Sequence, residues 1–565
     1  MIPARSPAMR FISWLTGLFI VGLLASCGDE DSSPTVVATP PVLTGPPPLE
    51  LLFTYSSEKK DWLTDVITTF NASNATIASG QRIAVSAIPM GSGECIDEIL
   101  AGVRKPHLIS PASAAFITMG NAAAQAATGK PVITGSESLV LSPVVIAMWK
   151  PMAEKLGWPT KAIGWSDILP LATAPTGWAT VGEPVWGRFR FGHTHPEFSN
   201  SGLMSLLAEI YAAAGKTGGL TSEDVRADKT RAFVSGIEGA VTHYGSSTGF
   251  FADRMFAGGM GAFSATVLYE SNVVDAASKN LGTPVVAIYP KEGTFWSDHP
   301  VGIVQREWVT PAHQEAVKKL IKFLLDRPQQ EAALRLGFRP GSPDIAVGAP
   351  IDAAHGCDPK QPTTTLEVPA APVLADALAM WKTTKKPSHV TLVVDVSGSM
   401  NDEGKIDGAR AAAKTLIEGL DDRDLCSLLI FNNTPTWLAQ RQPVKTARAE
   451  LAATAGKLIA NGGTALYDGI LEAQKDFAAE RGERISALIV LSDGEDTESK
   501  ATLDAVLAAA AGGVEQGGIR IFTVAYGKGA KKDVLKKIAE VSRGKQFSGD
   551  AASIRTVFRD IATFF

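Results

Sequence analysis

Only four cysteines occur in 565 residues, so packed cores rather than disulfides must hold the fold; a hydrophobic content of 45% is ample for that. The length suggests about two to four domains. No basic block appears. Lys385-Lys386 and Lys531-Lys532 are isolated pairs, and a net charge of −5 gives no footprint for a nucleic-acid partner. Beyond the first two dozen residues no apolar run is long and uninterrupted enough to span a membrane. No repeat period runs through 49–347. Histidines and cysteines do not cluster: His193-Thr194-His195 stands near Glu197 without further ligands, and reads as a hydrogen-bonded strand end rather than a transition-metal site. Gly245-Ser246-Ser247-Thr248-Gly249 fits G-x-S-x-G, yet no strong apolar strand leads into it. That argues against a nucleophile elbow, and so against an esterase using Ser247.

What is present starts at the amino terminus. Arg5 and Arg10 precede the apolar run 11–24, too short for a comfortable span and right for a secretory segment. Leu24-Ala25-Ser26-Cys27 then resembles the lipobox of bacterial lipoproteins, which implies cleavage before an acylated Cys27. Residues 1–27 are therefore read as a lipoprotein signal peptide. The acidic, Ser/Thr/Pro-rich stretch 28–48 is read as a disordered tether. The expected location is the bacterial cell envelope, with the membrane reached by the lipid anchor only.

Near the other end, Asp395-Val396-Ser397-Gly398-Ser399 closes the apolar stretch 390–394, which reads as a buried parallel strand. In doubly wound sheets sites form at the carboxyl ends of strands. One carboxylate with two hydroxyls is a hard-oxygen set suited to Mg²⁺, with Mn²⁺ or Ca²⁺ as alternatives. Thr464 follows the loop Asn461-Gly462-Gly463, and Asp493 follows a second buried-strand pattern at 487–491. With these residues in place, 388–565 resembles a von Willebrand factor type A domain. The match is to its metal-ion-dependent adhesion site, carried by Asp395, Ser397, Ser399, Thr464 and Asp493. The resemblance implies a divalent cation and a protein partner that completes its coordination with an Asp or Glu carboxylate. The order expected here is strand 389–395, helix 404–419, strand 425–431, a short strand near Trp437, helices 446–459 and 465–480, and strand 486–492. Helix 499–515, strand 519–526 and helices 532–543 and 552–564 follow.

In 49–347, small hydroxyl residues and glycines recur where strands give way to helix starts, whose free N–H groups suit an anion or polar solute. Ser56-Ser57, Gly91-Ser92-Gly93, Ser110-Pro111-Ala112-Ser113 and Ser199-Asn200-Ser201-Gly202 are the instances. This arrangement resembles a two-lobed periplasmic solute-binding protein of the ABC-importer type. By that resemblance Ser56, Ser57, Ser92, Ser113, Asn200 and Ser201 would line a cleft for a small polar solute or oxyanion, with Tyr269 covering it. Each serine also has a plainer reading as a helix cap. Cys95 and Cys357 lie in loop-like, glycine-containing contexts, where a disulfide could persist in an exported chain; sequence leaves that pairing open. Cys426 reads as a core thiol. Residues 348–387 form a junction in which Leu374, Leu378 and Trp381 make an apolar stripe.

The fold class expected is α/β: a two-lobed periplasmic-binding-protein-like domain (49–347), then a doubly wound, Rossmann-like A domain (388–565). Two functions follow, both without catalysis. One is a metal-dependent grip on a carboxylate-bearing partner. The other is a substrate receptor for an ABC-type importer, with the A domain docking or regulating.

Overall fold

The computed structural model describes residues 46–478, 483–516, 518–527, 529–551 and 553–565. Cys27, the signal segment and nearly all of the tether lie outside them. Residues 47–565 form one unit.

Alternation of side chains builds the C-terminal sheet. Its strands, in chain order, are Ser388–Asp395, Leu425–Phe431, Pro435–Pro443, Ile485–Ser492, Arg520–Tyr526 and Gln546–Gly549. Numbered one to six, they lie in the order 3-2-1-4-5-6 of a doubly wound sheet. Every residue of Ser388–Asp395, Ile485–Ser492 and Arg520–Tyr526 is buried, as expected of parallel strands covered on both faces. Val390, Leu392 and Val394 pack toward the helices Lys405–Gly419 and Ile554–Ala562. Val393 points the other way, into a second core with Ile470, Val506 and Leu535. Pro435–Pro443 pairs antiparallel at the edge, and its exposure alternates. The α/β class and the doubly wound order agree with the sequence expectation. The final short strand, Gln546–Gly549, was not anticipated.

Two further sheets make the lobes. In the first, Ile83–Met90, Leu49–Ser56, Leu108–Ser110, Pro300–Val304 and Ile133–Ser138 lie side by side. In the second, Val140–Trp149 pairs with Ala265–Tyr269, Val285–Ile288, Trp296–Ser297 and Arg339–Pro340, and Phe191–Gly192 flanks Ala265–Tyr269. The chain passes between lobes at Leu139, around Asp298-His299 and before Arg339. The junction lies along the second lobe: Ala287 donates to the Gly356 carbonyl (2.8 Å) and Leu366 to that of Thr294 (2.8 Å). Helix Ala371–Thr384 then buries Leu374 and Trp381. One hydrophobic core runs continuously from Trp149 of the second lobe through Trp381 to Leu416 and Phe564.

The structure corrects the disulfide expectation. Cys95 sits in the helix Ser92–Leu100 of the first lobe, whereas Cys357 faces the Glu270 carbonyl on the second (3.9 Å). Both are free, as is Cys426, and all three are buried. Burial pushes every one of these thiols up, that of Cys426 to about 12. We expect alkylation followed by peptide mapping to leave Cys95, Cys357 and Cys426 unmodified in the native protein. All three should react in the denatured chain without reductant.

Candidate metal centre and inter-lobe cleft

Three loops interlace at the carboxyl end of the C-terminal sheet. Gly398 donates to the Gly462 carbonyl (2.9 Å), Asn461 to Val396 (2.8 Å), and Thr497 to Thr464 (2.8 Å). Gly462, at φ +79°, makes the turn that brings the threonine loop against the first. Asp395 ends the central strand, fully buried. Its Oδ1 accepts from the Ser397 N–H (2.8 Å) and its Oδ2 from the Ser492 hydroxyl (2.8 Å). Ser397 and Ser399 hydroxyls lie 3.1 Å apart, and Ser399 donates to Asp493 Oδ1 (2.8 Å). The Thr464 hydroxyl faces Gly494, the residue after Asp493. The structure therefore brings Asp395, Ser397, Ser399 and Asp493 into one chain of contacts, with Thr464 beside it.

Charge separates the two carboxylates. Asp493 pairs with Lys405 Nζ (2.7 Å), which also donates to the Ser399 carbonyl (3.2 Å). Among the described residues Asp395 has no ion-pair partner. Burial pushes its pKa up to about 6, against the pull of the Ser397 and Ser492 hydrogen bonds. A buried carboxylate without a cation, ringed by hydroxyls, is a donor set that fits a hard divalent ion. Lys405 is the residue the sequence pattern did not mark: it lies beyond the Asp-x-Ser-x-Ser run, and only the fold aims it at Asp493. The rim is accessible, because Gly398, Ser399, Asn461, Gly462 and Glu495 are exposed.

The serines of the first domain have a different fate. Ser113 caps helix Ala114–Thr128 through the Ala115 N–H, and Ser92 accepts from Ala112 N–H (3.0 Å). Ser57 donates across the lobes to Ser247 (2.9 Å), and Gly93 N–H to the Phe198 carbonyl (2.8 Å). Ser201 is engaged by Thr194 and Thr248, while Asn200 donates to Tyr269 (3.0 Å) and Ser297 (2.9 Å). All seven expected cleft residues are buried. Deeper in, Lys59 lies wholly buried against Ser56, Glu58 and His299. Burial opposes ionisation of Glu58, but Lys59 and His299 outweigh it and hold its pKa at about 2. The lobes are closed on each other through Ser57–Ser247 and Gly93–Phe198. Among the described residues Asn200 Oδ1 and His299 Nε2 have no hydrogen-bond partner there.

Ser247 stands at the start of helix Thr248–Gly258, buried against Ser57, as a turn residue. His193 bonds Glu238 rather than Glu197, and His195 packs on Trp381.

A family model described as von Willebrand factor type A domain matches residues 389–559. One described as bacterial extracellular solute-binding protein matches residues 51–339. An uncharacterized protein of Synechocystis is 28% identical over 158 residues, 28% of this chain and 36% of that relative. The chain thus spans about a third of that relative's length. Among solved structures, a periplasmic thiamin binding protein is similar at 13% identity (TM-score 0.42; 60% of this chain, 96% of the other). The sulfate-binding protein SubI of Mycobacterium tuberculosis is similar at 18% (TM-score 0.36; 52% and 88%). A von Willebrand factor type A protein of Catenulispora acidiphila is similar at 23% (TM-score 0.29; 32% and 42%). The fold assignment rests on the sheet topology and the two family models.

The buried Asp395 sets a stability test. A native pKa near 6, above the ordinary 3.8, means that folding takes up a proton between those values. Metal-free stability therefore falls as pH rises from about 4 to 6, by about 2–3 kcal/mol for a shift of this size. Asp395→Asn keeps the Ser397 N–H contact and removes the charge. In chelator at pH 7, denaturant unfolding should find the variant more stable by about that amount. The gap should close below pH 4.

Proposed function

The chain belongs to the bacterial extracellular solute-binding protein family, and on that premise we propose that it is an exported envelope protein, lipid-anchored through Cys27, whose A domain grips a carboxylate-bearing protein partner through a divalent cation. The observation that carries this reading is Asp395: a buried carboxylate without a cation partner, set in hydroxyls beneath an exposed rim. Asp395, Ser397, Ser399 and Thr464 would hold the ion, with Asp493 acting close by, Mg²⁺ first and Mn²⁺ or Ca²⁺ as alternatives. When bound, the ion supplies an electron-poor centre that takes up a further carboxylate oxygen. The chain's own work is positional. Ser492 and the Ser397 N–H aim Asp395, and Lys405 neutralises Asp493. Binding rather than catalysis is the proposed role.

The test is capture from envelope extract by the full chain, with Mg²⁺ and with chelator. The partner should be retained only with metal. Asp395→Ala should lose both metal binding by calorimetry and capture, whereas Ser399→Ala should weaken metal binding by roughly tenfold, the loss of one neutral ligand that water replaces. Capture that ignores chelator would leave the site structural.

A second reading, solute reception for an importer, is favoured by Asn200 Oδ1 and His299 Nε2, polar atoms of the seam that lack partners. Thermal unfolding against oxyanions, sugars and amino acids checks it. A true ligand at about one hundred times its Kd adds about 2.7 kcal/mol. Because Lys59, Glu58 and the Ser57–Ser247 bond occupy the closed seam, we expect no such shift.

A further inference from the structure

Away from both expected sites, His193, Glu209 and Glu238 place one ligand atom each within 4.8 Å of the others, all fully buried. They come from different segments: the loop after strand Phe191–Gly192, helix Asn200–Ala214 and helix Asp228–Glu238. Two observations point to a cation-binding centre. His193 Nδ1 lies 2.7 Å from the Thr194 carbonyl, to which it must donate. A neutral imidazole so held turns the bare lone pair of Nε2 toward Glu238 Oε1, 3.1 Å away. Two acceptors face each other unless a proton or a metal stands between them. Glu209 Oε1 accepts from Ser205 (2.9 Å), but among the described residues its Oε2 has no hydrogen-bond partner. An unpaired carboxyl oxygen in a closed core is costly.

We propose that His193, Glu209 and Glu238 bind a structural first-row divalent ion, Zn²⁺ by the chemistry of the set. One imidazole nitrogen and two carboxylate oxygens suit that ion, and two negative charges balance it. The imidazole N–H to a backbone carbonyl is the outer bond that metal-binding histidines ordinarily make. Glu238 has spare lone pairs for a ligand bond while accepting from Trp381 Nε1 (3.0 Å) and Tyr244 (2.7 Å). Trp381 belongs to the junction helix Ala371–Thr384, so the ion sits beneath the segment leading to the C-terminal domain. It would load during folding and resist chelator afterwards.

The full chain, refolded from denaturant with and without Zn²⁺ and then passed through chelator, is analysed for zinc by mass spectrometry. Wild type should keep about one equivalent, as stoichiometric structural sites do. Asp395→Ala should keep the same amount, which separates this centre from the adhesion site. Glu209→Gln, isosteric and still able to accept from Ser205, and His193→Gln should each lose nearly all of it. X-ray absorption on the wild-type zinc should find only nitrogen and oxygen ligands, one of them imidazole. Wild type refolded in zinc yet free of it, a folded Glu209→Gln that retains it, or sulfur in the shell would each overturn the proposal. If both variants fail to fold, the wild-type stoichiometry and absorption spectrum decide alone.

Discussion

The carboxylate of Glu238, fully buried, is the interaction on which the arrangement of this chain depends. A charge taken that far from water survives only if its oxygens are satisfied. Here the donors are Tyr244 from the second lobe and Trp381 from the junction helix, with His193 also in contact. Trp381 cannot leave without taking a donor from Glu238 Oε1. Burying an indole also removes about 150–250 Å² of surface, worth about 4–6 kcal/mol. The junction helix is thereby fixed to the second lobe. Tyr244 extends the link, since its backbone N–H donates to the Phe564 carbonyl (3.1 Å) near the end of the chain.

The two halves treat their polar residues in opposite ways. In the first, hydroxyls at helix starts are spent on one another and on caps: Ser113 on its helix, Ser57 on Ser247, Asn200 on Tyr269. In the second, similar residues converge beneath an exposed, glycine-rich rim and leave Asp395 without a cation. Identical chemistry at identical positions in the strand–helix grammar therefore yields a filled seam in one case and an accessible site in the other. The difference lies in what the neighbouring body covers.

That difference explains what sequence could and could not reveal. Parallel strands buried on both faces appear as apolar runs, so 388–395, 425–431 and 485–492 were legible nearly to the residue, along with the carboxylate and hydroxyl residues that follow them. Helix Ser92–Leu100 was harder, because two glycines and a serine at its start gave Cys95 a loop-like look. The disulfide expectation followed from that local reading and failed on tertiary placement. Glu209 and Glu238 carried no signal at all. Glu238 ends a half-exposed helix and Glu209 lies in one buried from Asn200 to Tyr211; neither pattern shows that the two meet, and Trp381 reaches Glu238 from far along the chain. Lys405 and the closure of the lobes were hidden for the same reason: both are relations between segments that share no pattern.

The placement of the C-terminal domain has a mechanical consequence. A pocket enclosing ≈ 210 Å³ is lined by Glu94 and Asp97 of the first lobe, Phe198 and Phe250 of the second, and Arg559 and Asp560 of the helix Ile554–Ala562. Crowding there is electrostatic as well as steric: burial, then the nearby Glu94 charge, push Asp560 up to about 7. Helix Ile554–Ala562 also packs on Lys405–Gly419, which starts at the lysine holding Asp493. Separating the lobes would have to break Ser57–Ser247 and Gly93–Phe198 and also open the pocket that this helix lines together with both lobes. A free two-lobed receptor meets only the first of these costs. In this chain the C-terminal domain lines the mouth of the cleft, so lobe motion and the rim above Asp395 are joined through helices that pack on one another.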